Sequence, residues 1–273
     1  MNPVNIEKYT SGLFSTFNEK MFFYTKIDLN NTIFIDFGCG EGSILNYIYA
    51  RLLNGDIQNT LLIGVEQNEA LRFLTESKLG AKYITSRVDS TIHKAYEIYT
   101  NLESVKEFLS TNPELIKGRK VVMLCSSVLH ELNSYQNTLF KFVKDFVDVF
   151  IVRDMYVKVD QAFTYKHIAK IIKNSNPKML SEFIEKYGMS SEQILHYLLK
   201  YTYVENWASE IKEDYTSVKW DKIEKLGYPI CDTPYLQEWR RNKVKEDFGF
   251  NLDVNGCLSH RSLIIKVFDK SKN

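Results

Sequence analysis

The sequence predicts an α/β fold: a mainly parallel sheet covered by helices on both faces. Three observations predict it. Over the first 155 residues, short β-branched and aromatic runs alternate with segments of helical period, the rhythm of parallel strands joined by crossover helices. A loop of alternate glycines, Gly38, Gly40 and Gly42, joins the first strand to the first helix. The 273 residues suit one large domain with an elaboration, and at 44% hydrophobic they can fill its core.

The elements follow in order. Residues 6–25 mix polar side chains with Tyr9, Phe14, Phe17, Phe22 and Phe23 and predict one or two short helices. Asn30-Asn31 reads as a turn. Thr32–Phe37 is a short apolar run bounded by Gly38, the pattern of a buried strand. Ser43–Leu53 has helical spacing through Ile44, Tyr47, Ile48 and Leu52, and Asn54-Gly55-Asp56 stops it. Residues 60–65 form a second strand and 68–77 a second helix. A weak third strand is expected within 82–88, then a helix over 91–109. Residues 120–125 predict a strand, 137–146 a helix and 149–152 a further strand. Residues 161–213 are almost wholly helical by pattern, with breaks at 174–177 and 188–190. Strands are expected near 228–233 and at 262–268.

Charge is plentiful but balanced, 35 Lys+Arg against 34 Asp+Glu, which disfavours a long-range field for nucleic acid or an anionic membrane without excluding nucleic acid. Only 8 of the cations are Arg, the residue best suited to forked phosphate contacts. The start, Met1-Asn2-Pro3-Val4-Asn5, lacks a secretory pattern, and no apolar stretch is long enough to span a membrane. Cys39, Cys125, Cys231 and Cys257 lie far apart without a CxxC, so free thiols in a cytoplasmic protein are expected. His93, His130, His167, His196 and His260 are scattered, and no metal site is expected.

The informative segment is Ile35-Asp36-Phe37-Gly38-Cys39-Gly40-Glu41-Gly42, between a predicted strand and a predicted helix. Glycine lets the chain turn tightly and lets a ligand touch the backbone. A plain turn would not need three alternate glycines. The GxGxG spacing differs from a dinucleotide loop, and Glu41 within it would face a pyrophosphate unfavourably. No Lys follows, which excludes a P-loop. A phosphate-free nucleoside with a positively charged end fits better. Glu66 ends the second strand, 24 residues past Gly42, where a carboxylate can accept both ribose hydroxyls.

These residues resemble class I S-adenosylmethionine-dependent methyltransferases. Ile35–Gly42 is similar to their [DE]xGxGxG motif, Glu66 to their ribose-binding acid, and residues 125–132 (Cys-Ser-Ser-Val-Leu-His-Glu-Leu) to the segment bordering their methyl-transfer site. The resemblance implies a Rossmann-like, seven-stranded, mostly parallel sheet with an antiparallel last strand. It implies S-adenosylmethionine as cofactor, with Asp36 and Gly38 at the methionine moiety, Cys39, Gly40 and Gly42 shaping the loop, Glu66 and Gln67 at the ribose side, and Ser126 beside the reacting end. Asp89 is the candidate for an adenine-contacting acid after strand three. The domain organisation expected is an N-terminal helical segment (1–30), a cofactor-binding core (31–156), a helical cap inserted after strand five (157–217) and the last strands (218–273).

Methyl transfer from a sulfonium is an in-line displacement in which the protein mainly holds donor and acceptor in line. His130 is the candidate base, and Glu131 would orient it or act itself. Arg153 and Tyr156, near the end of strand five, are candidate substrate contacts; Arg153-Asp154 reads equally as a structural ion pair. In the cap, Tyr197, Tyr201, Tyr203 and Trp207 form either a helix face packed on the sheet or a wall for a planar substrate. The acceptor is unidentified, an oxygen or nitrogen of a small molecule before RNA or a nucleotide. A non-catalytic cofactor-binding subunit and, last, a nicotinamide oxidoreductase are the rivals.

Overall fold

Strands form where β-branched and aromatic residues are buried on both faces, and helices where one apolar stripe recurs. The computed structural model describes residues 17–85, 96–159, 162–204, 206–212, 215–253 and 256–268. Its first half alternates as follows: β1 (Thr32–Phe37), α1 (Ser43–Leu53), β2 (Leu61–Val65), α2 (Glu69–Thr85), β3 (Tyr96–Tyr99), α3 (Leu102–Thr111), α4 (Pro113–Ile116), β4 (Lys120–Ser126), α5 (Tyr135–Phe146) and β5 (Val149–Lys158). The inserted segment carries α6 (Tyr165–Asn174), α7 (Pro177–Tyr187), α8 (Ser191–His196), a π-helical turn at Tyr197–Tyr201, α9 (Trp207–Glu210) and α10 (Trp220–Glu224). The chain then returns through β6 (Gly227–Tyr235), α11 (Glu238–Phe248) and β7 (Leu258–Val267).

These strands form one seven-stranded Rossmann-like sheet, ordered β3-β2-β1-β4-β5-β7-β6. β1 to β5 pair in parallel, and β7 is antiparallel to both of its neighbours. Strand alternation sends successive side chains to opposite faces. Ile33, Ile35, Met123 and Phe150 pack with α3 and α5; Phe34, Leu62, Leu124 and Ile151 pack with α1 and the Phe23 ring. The inserted helices bury their own cluster, centred on Phe183, Tyr197 and Tyr201, together with Val244 and Phe248 of α11. The aromatic stripe of the insertion is therefore mostly the core of the insertion itself. Among the described residues, no helix is long and apolar enough to cross a membrane, and the four cysteines are free thiols.

Four expectations need correction. The third strand lies at Tyr96–Tyr99, inside the helix expected over 91–109; of the expected 82–88, residues 82–85 belong to α2 and 86–88 lie outside the described residues. Four residues at a half-exposed sheet edge carry too few alternations to outweigh the helical period that follows. α2 runs on to Thr85, past the expected end at 77. β5 continues through Arg153 and Asp154 to Lys158, because β7 supplies antiparallel partners (Arg153 to Ser262, Asp154 to Arg261) where the apolar run has ended. α11 was not foreseen, since it buries only Val244 and Phe248 and has no apolar stripe. The helices expected over 6–25 fall partly outside the described residues.

Gly42, the residue before α1, has φ of 74° and lies against α2, where an added Cβ would come within 2.5 Å of Thr75. Left-handed strain and overpacking therefore act together. Gly42→Ala is expected to lower stability by about 2–4 kcal/mol, read from chemical denaturation.

Candidate functional site

The parallel strands end at one edge of the sheet, where open α/β folds hold ligands. A cavity of about 470 Å³ lies there, lined by Gly38, Glu66, Gln67, Asn101, Ser126 and Glu131, among others. A recess of about 30 Å³ shares Lys20, Gly38 and Ser126 with it and reaches Asp36 and Cys39.

The glycine loop is tied to the end of β2. The Gly38 and Cys39 N–H groups donate to the Val65 carbonyl at 2.8 and 3.1 Å. The Gly40 N–H donates to Glu66 Oε2 at 3.0 Å, and the Asn68 N–H to Glu66 Oε1 at 2.8 Å. The carboxylate is thus aimed before any ligand arrives, and hydrogen bonds to an ionised acceptor are the stronger kind. Gly38 has φ of 73°, and a Cβ there would meet Val128 at 2.7 Å. No larger residue fits that turn. Gly42 packs against α2 and is among the lining of neither cavity, consistent with a shaping role alone.

Glu41 behaves differently from expectation. Its carboxylate is buried, 2.5 Å from Lys78 Nζ and accepting from the Ser43 hydroxyl at 2.7 Å. It lines neither cavity. The argument that Glu41 would repel a pyrophosphate fails, because Lys78 of α2 neutralises it.

Asp36 and Lys20 set the electrostatics of the recess. Burial pushes the Asp36 carboxyl up to about 7; the Lys20 ammonium opposes this, and Glu66 adds to it. Burial and then Arg153 lower the Lys20 pKa, while Asp36 and Glu41 support its charge. Ser126 lines both cavities, and its buried hydroxyl has no hydrogen-bond partner. An unpartnered buried hydroxyl costs free energy unless something binds to it.

Arg153 is a hub and lines neither of these cavities. It is 2% exposed. Its guanidinium donates to the Tyr235 hydroxyl at 2.9 Å, to the Ser127 hydroxyl at 2.8 Å and to the Glu19 carboxylate. Glu19 also accepts from Gln237 at 2.7 Å and Tyr235 at 3.2 Å. With its donors engaged inside the protein, Arg153 takes the structural reading and not that of a substrate contact.

His130 and Glu131 diverge. The His130 Nδ1–H donates to Asp154 Oδ1 at 2.6 Å, and its ring lies tilted by 32° against Tyr215, centroids 5.3 Å apart. Asp154 is wholly buried and also accepts from the N–H groups of Val128, Leu129 and Met155 at 3.1, 2.8 and 2.7 Å. Burial works against both charges, but each holds the other: the His130 pKa is raised by Asp154, and the Asp154 pKa is lowered by His130 and the backbone donors. His130 is absent from the lining of the large cavity, whereas Glu131 lines it and lies 3.6 Å from His130 Nε2. The imidazole is an ion-pair partner of Asp154, poorly suited to begin as a neutral base.

Asp89 lies outside the described residues, and strand three begins after it, so it does not follow that strand as expected. Thr100 and Asn101 follow β3 and line the cavity instead. Tyr156 lies elsewhere, on a second cavity under the inserted helices. Among the described residues, no group of His, Cys, Asp and Glu is arranged to hold a metal. Sequence reasoning missed Lys20 and Asn101, whose approach to the loop depends on chain crossings with no local signal.

No protein-family model matches the chain, and no curated protein matches its sequence. Solved structures with a similar backbone include a SAM-dependent methyltransferase from Anabaena variabilis, at 10% identity and a TM-score of 0.46, over 94% of this chain and 85% of that one. The plantazolicin methyltransferase BamL, in complex with a triazolic desmethylPZN analog and SAH, matches at 12% identity and a TM-score of 0.39, over 95% and 87%. SCL7 of Oryza sativa matches at 12% and 0.48, over 93% and 78%. At such identities, side-chain roles do not transfer from these proteins to this chain.

Two outcomes follow from the buried acids. The folded Asp36 carboxyl keeps its proton up to about pH 7, whereas the unfolded one releases it near 3.8. Its stabilising effect is therefore full below pH 4 and is lost progressively up to pH 7. Asp36→Asn is expected to remove that slope in denaturation curves taken across this range. His130→Ala leaves the Asp154 carboxylate buried with only backbone donors, and is expected to cost about 3 kcal/mol in the same measurement.

Proposed function

We propose that the chain is an S-adenosylmethionine-dependent methyltransferase of the cytoplasm, acting on an oxygen or nitrogen of a small molecule. One observation carries the reading. A recess that sets the Lys20 ammonium beside the Asp36 carboxyl adjoins a wall on which Glu66 is held by two backbone N–H groups. The first suits the carboxylate and ammonium of an amino-acid end, and the second a ribose diol. A dinucleotide has no amino-acid end to meet that pair.

The residues fit the cofactor. Lys20 would pair with the methionine carboxylate, and Asp36 and Ser126 would take hydrogen bonds from the ammonium. Gly38 would let the ligand touch the backbone, Cys39 borders the recess, and Gly40 would shape the loop through its N–H bond to Glu66. Glu66 would accept from the ribose hydroxyls, and Gln67 and Asn101 lie where the base would extend. Bound there, the cofactor supplies an electrophilic methyl group on a sulfonium for in-line displacement. Glu131, on the cavity wall, would accept a proton from the acceptor. His130, held by Asp154, would position Glu131 through its Nε2.

The test is ligand binding and turnover. S-adenosylhomocysteine is expected to raise the melting temperature, and NAD is not; a shift with NAD alone would sink the reading. Glu66→Ala is expected to weaken S-adenosylhomocysteine binding roughly 10- to 100-fold by calorimetry, the effect of losing hydrogen bonds to a charged group. Glu131→Gln is expected to slow labelled methyl transfer while leaving that affinity within about twofold of wild type.

A further inference from the structure

One cationic cluster has no part in the cofactor cavity. Residues 158–178 hold five lysines, and Asp160 is the only acid among them. Three of the five, Lys166, Lys170 and Lys173, fall on α6 at steps of four and three, so they stack in one row along the helix. All three are exposed. Tyr165, Ala169 and Ile172 repeat the same steps one residue earlier. They form a second exposed row, about 100° around the helix from the first.

The helix does not need this face for its own packing. Its apolar side, Ile168 and Ile171, is buried in the core of the insertion with Val244 and Phe248 of α11. Tyr165, by contrast, is 82% exposed and Ile172 37%. The lysines are not engaged by acids either. Among the described residues, none of the three forms an ion pair, and Lys170 donates to the Gly249 carbonyl at 3.5 Å. Glu246 and Asp247 of the adjoining α11 are both met by Lys243, at 3.5 Å each.

The lysines select an anionic partner, and the apolar row selects which one. Like charges on one helix face repel, and an anionic surface relieves that repulsion. A nucleic-acid backbone suits forked Arg contacts, and no Arg occurs between Arg153 and Arg240. Nor would it reward an exposed Ile. An anionic bilayer meets both rows. Its headgroups attract the ammonium ends, while the lysine stems, the Tyr165 ring and Ile172 enter the boundary between headgroups and acyl chains. Tyr suits that depth, being apolar in its ring and polar at its tip. The field of an anionic leaflet acts within a Debye length, so a local row suffices even in a chain of net charge +1.

We propose that the outer face of α6 docks on an anionic lipid bilayer, with Lys166, Lys170 and Lys173 at the headgroups and Tyr165 and Ile172 at the interface. The contact is peripheral: Ile168 and Ile171 stay in the core of the insertion. The proposal goes beyond the methyltransferase reading and does not depend on it.

The test is sedimentation of the full chain with vesicles of phosphatidylcholine, alone or mixed with phosphatidylserine. Binding to the mixed vesicles is expected to exceed binding to phosphatidylcholine at least about tenfold, and to fall as salt is added. A cation near an anionic leaflet contributes roughly fivefold, so Lys166→Gln, Lys170→Gln and Lys173→Gln together should weaken binding about 100-fold. Removing three exposed charges on other helices, by Lys106→Gln, Lys117→Gln and Lys144→Gln, should weaken it less than about fivefold. Tyr165→Ser with Ile172→Ser should weaken it about tenfold and leave the salt dependence as in wild type. Circular dichroism and the melting temperature check that each variant is folded. A single-stranded RNA is titrated in the same buffer as a rival. Equal binding to the two kinds of vesicle overturns the proposal. So does equal loss in the two triple variants, undiminished binding by the triple α6 variant or by the double Ser variant, or RNA that binds more tightly than the mixed vesicles and is lost in the α6 variant.

Discussion

The Arg153 guanidinium lies out of water at the last pair between β4 and β5, and three separate pieces of chain converge on it. Ser127 belongs to the turn after β4, Glu19 to the segment that carries Lys20, and Tyr235 to the end of β6. A buried cation is tolerated only when its donors are satisfied and its charge is met. That requirement draws these pieces together at the ligand edge of the sheet. Ser127 is held at φ of 58°, next to the unpartnered Ser126 hydroxyl. Glu19 brings the neighbouring Lys20 over the glycine loop. Without Arg153, the sheet would still have its core, but the recess would lose its roof.

Asp154, the next residue along β5, performs a similar task on the other face. Its carboxylate gathers two successive backbone N–H groups of the turn after β4 and the His130 ring. That leaves Glu131 on the wall of the large cavity and Tyr215 tilted against the His130 ring. Adjacent residues on a strand point to opposite faces, so one charged dipeptide braces both sides of the site.

The charges of the site form two groups with different purposes. Glu41 with Lys78 is an internal pair that fastens the glycine loop to α2. Asp36, Lys20 and Glu66 line ligand space, and the burial of Asp36 pushes its carboxyl up to about 7 against the opposing Lys20 charge.

Much of this was legible in the sequence because it is encoded locally. The apolar runs of β1, β2 and β4, the helical stripe of α1 and the alternate glycines each act through neighbours a few residues apart. Turn sterics and side-chain periodicity therefore sufficed to place the glycine loop between β1 and α1 and Glu66 just past β2. The sequence by itself determined an α/β sheet with a glycine turn between β1 and α1. Tertiary structure alone decided what each charged side chain does. Glu41, Arg153 and His130 all read as candidate ligand-facing groups, yet each is claimed by a partner 24 or more residues away, in Lys78, Glu19 and Asp154. A charge follows the nearest counter-charge in a low-dielectric interior, and only the packing of distant segments sets which one that is.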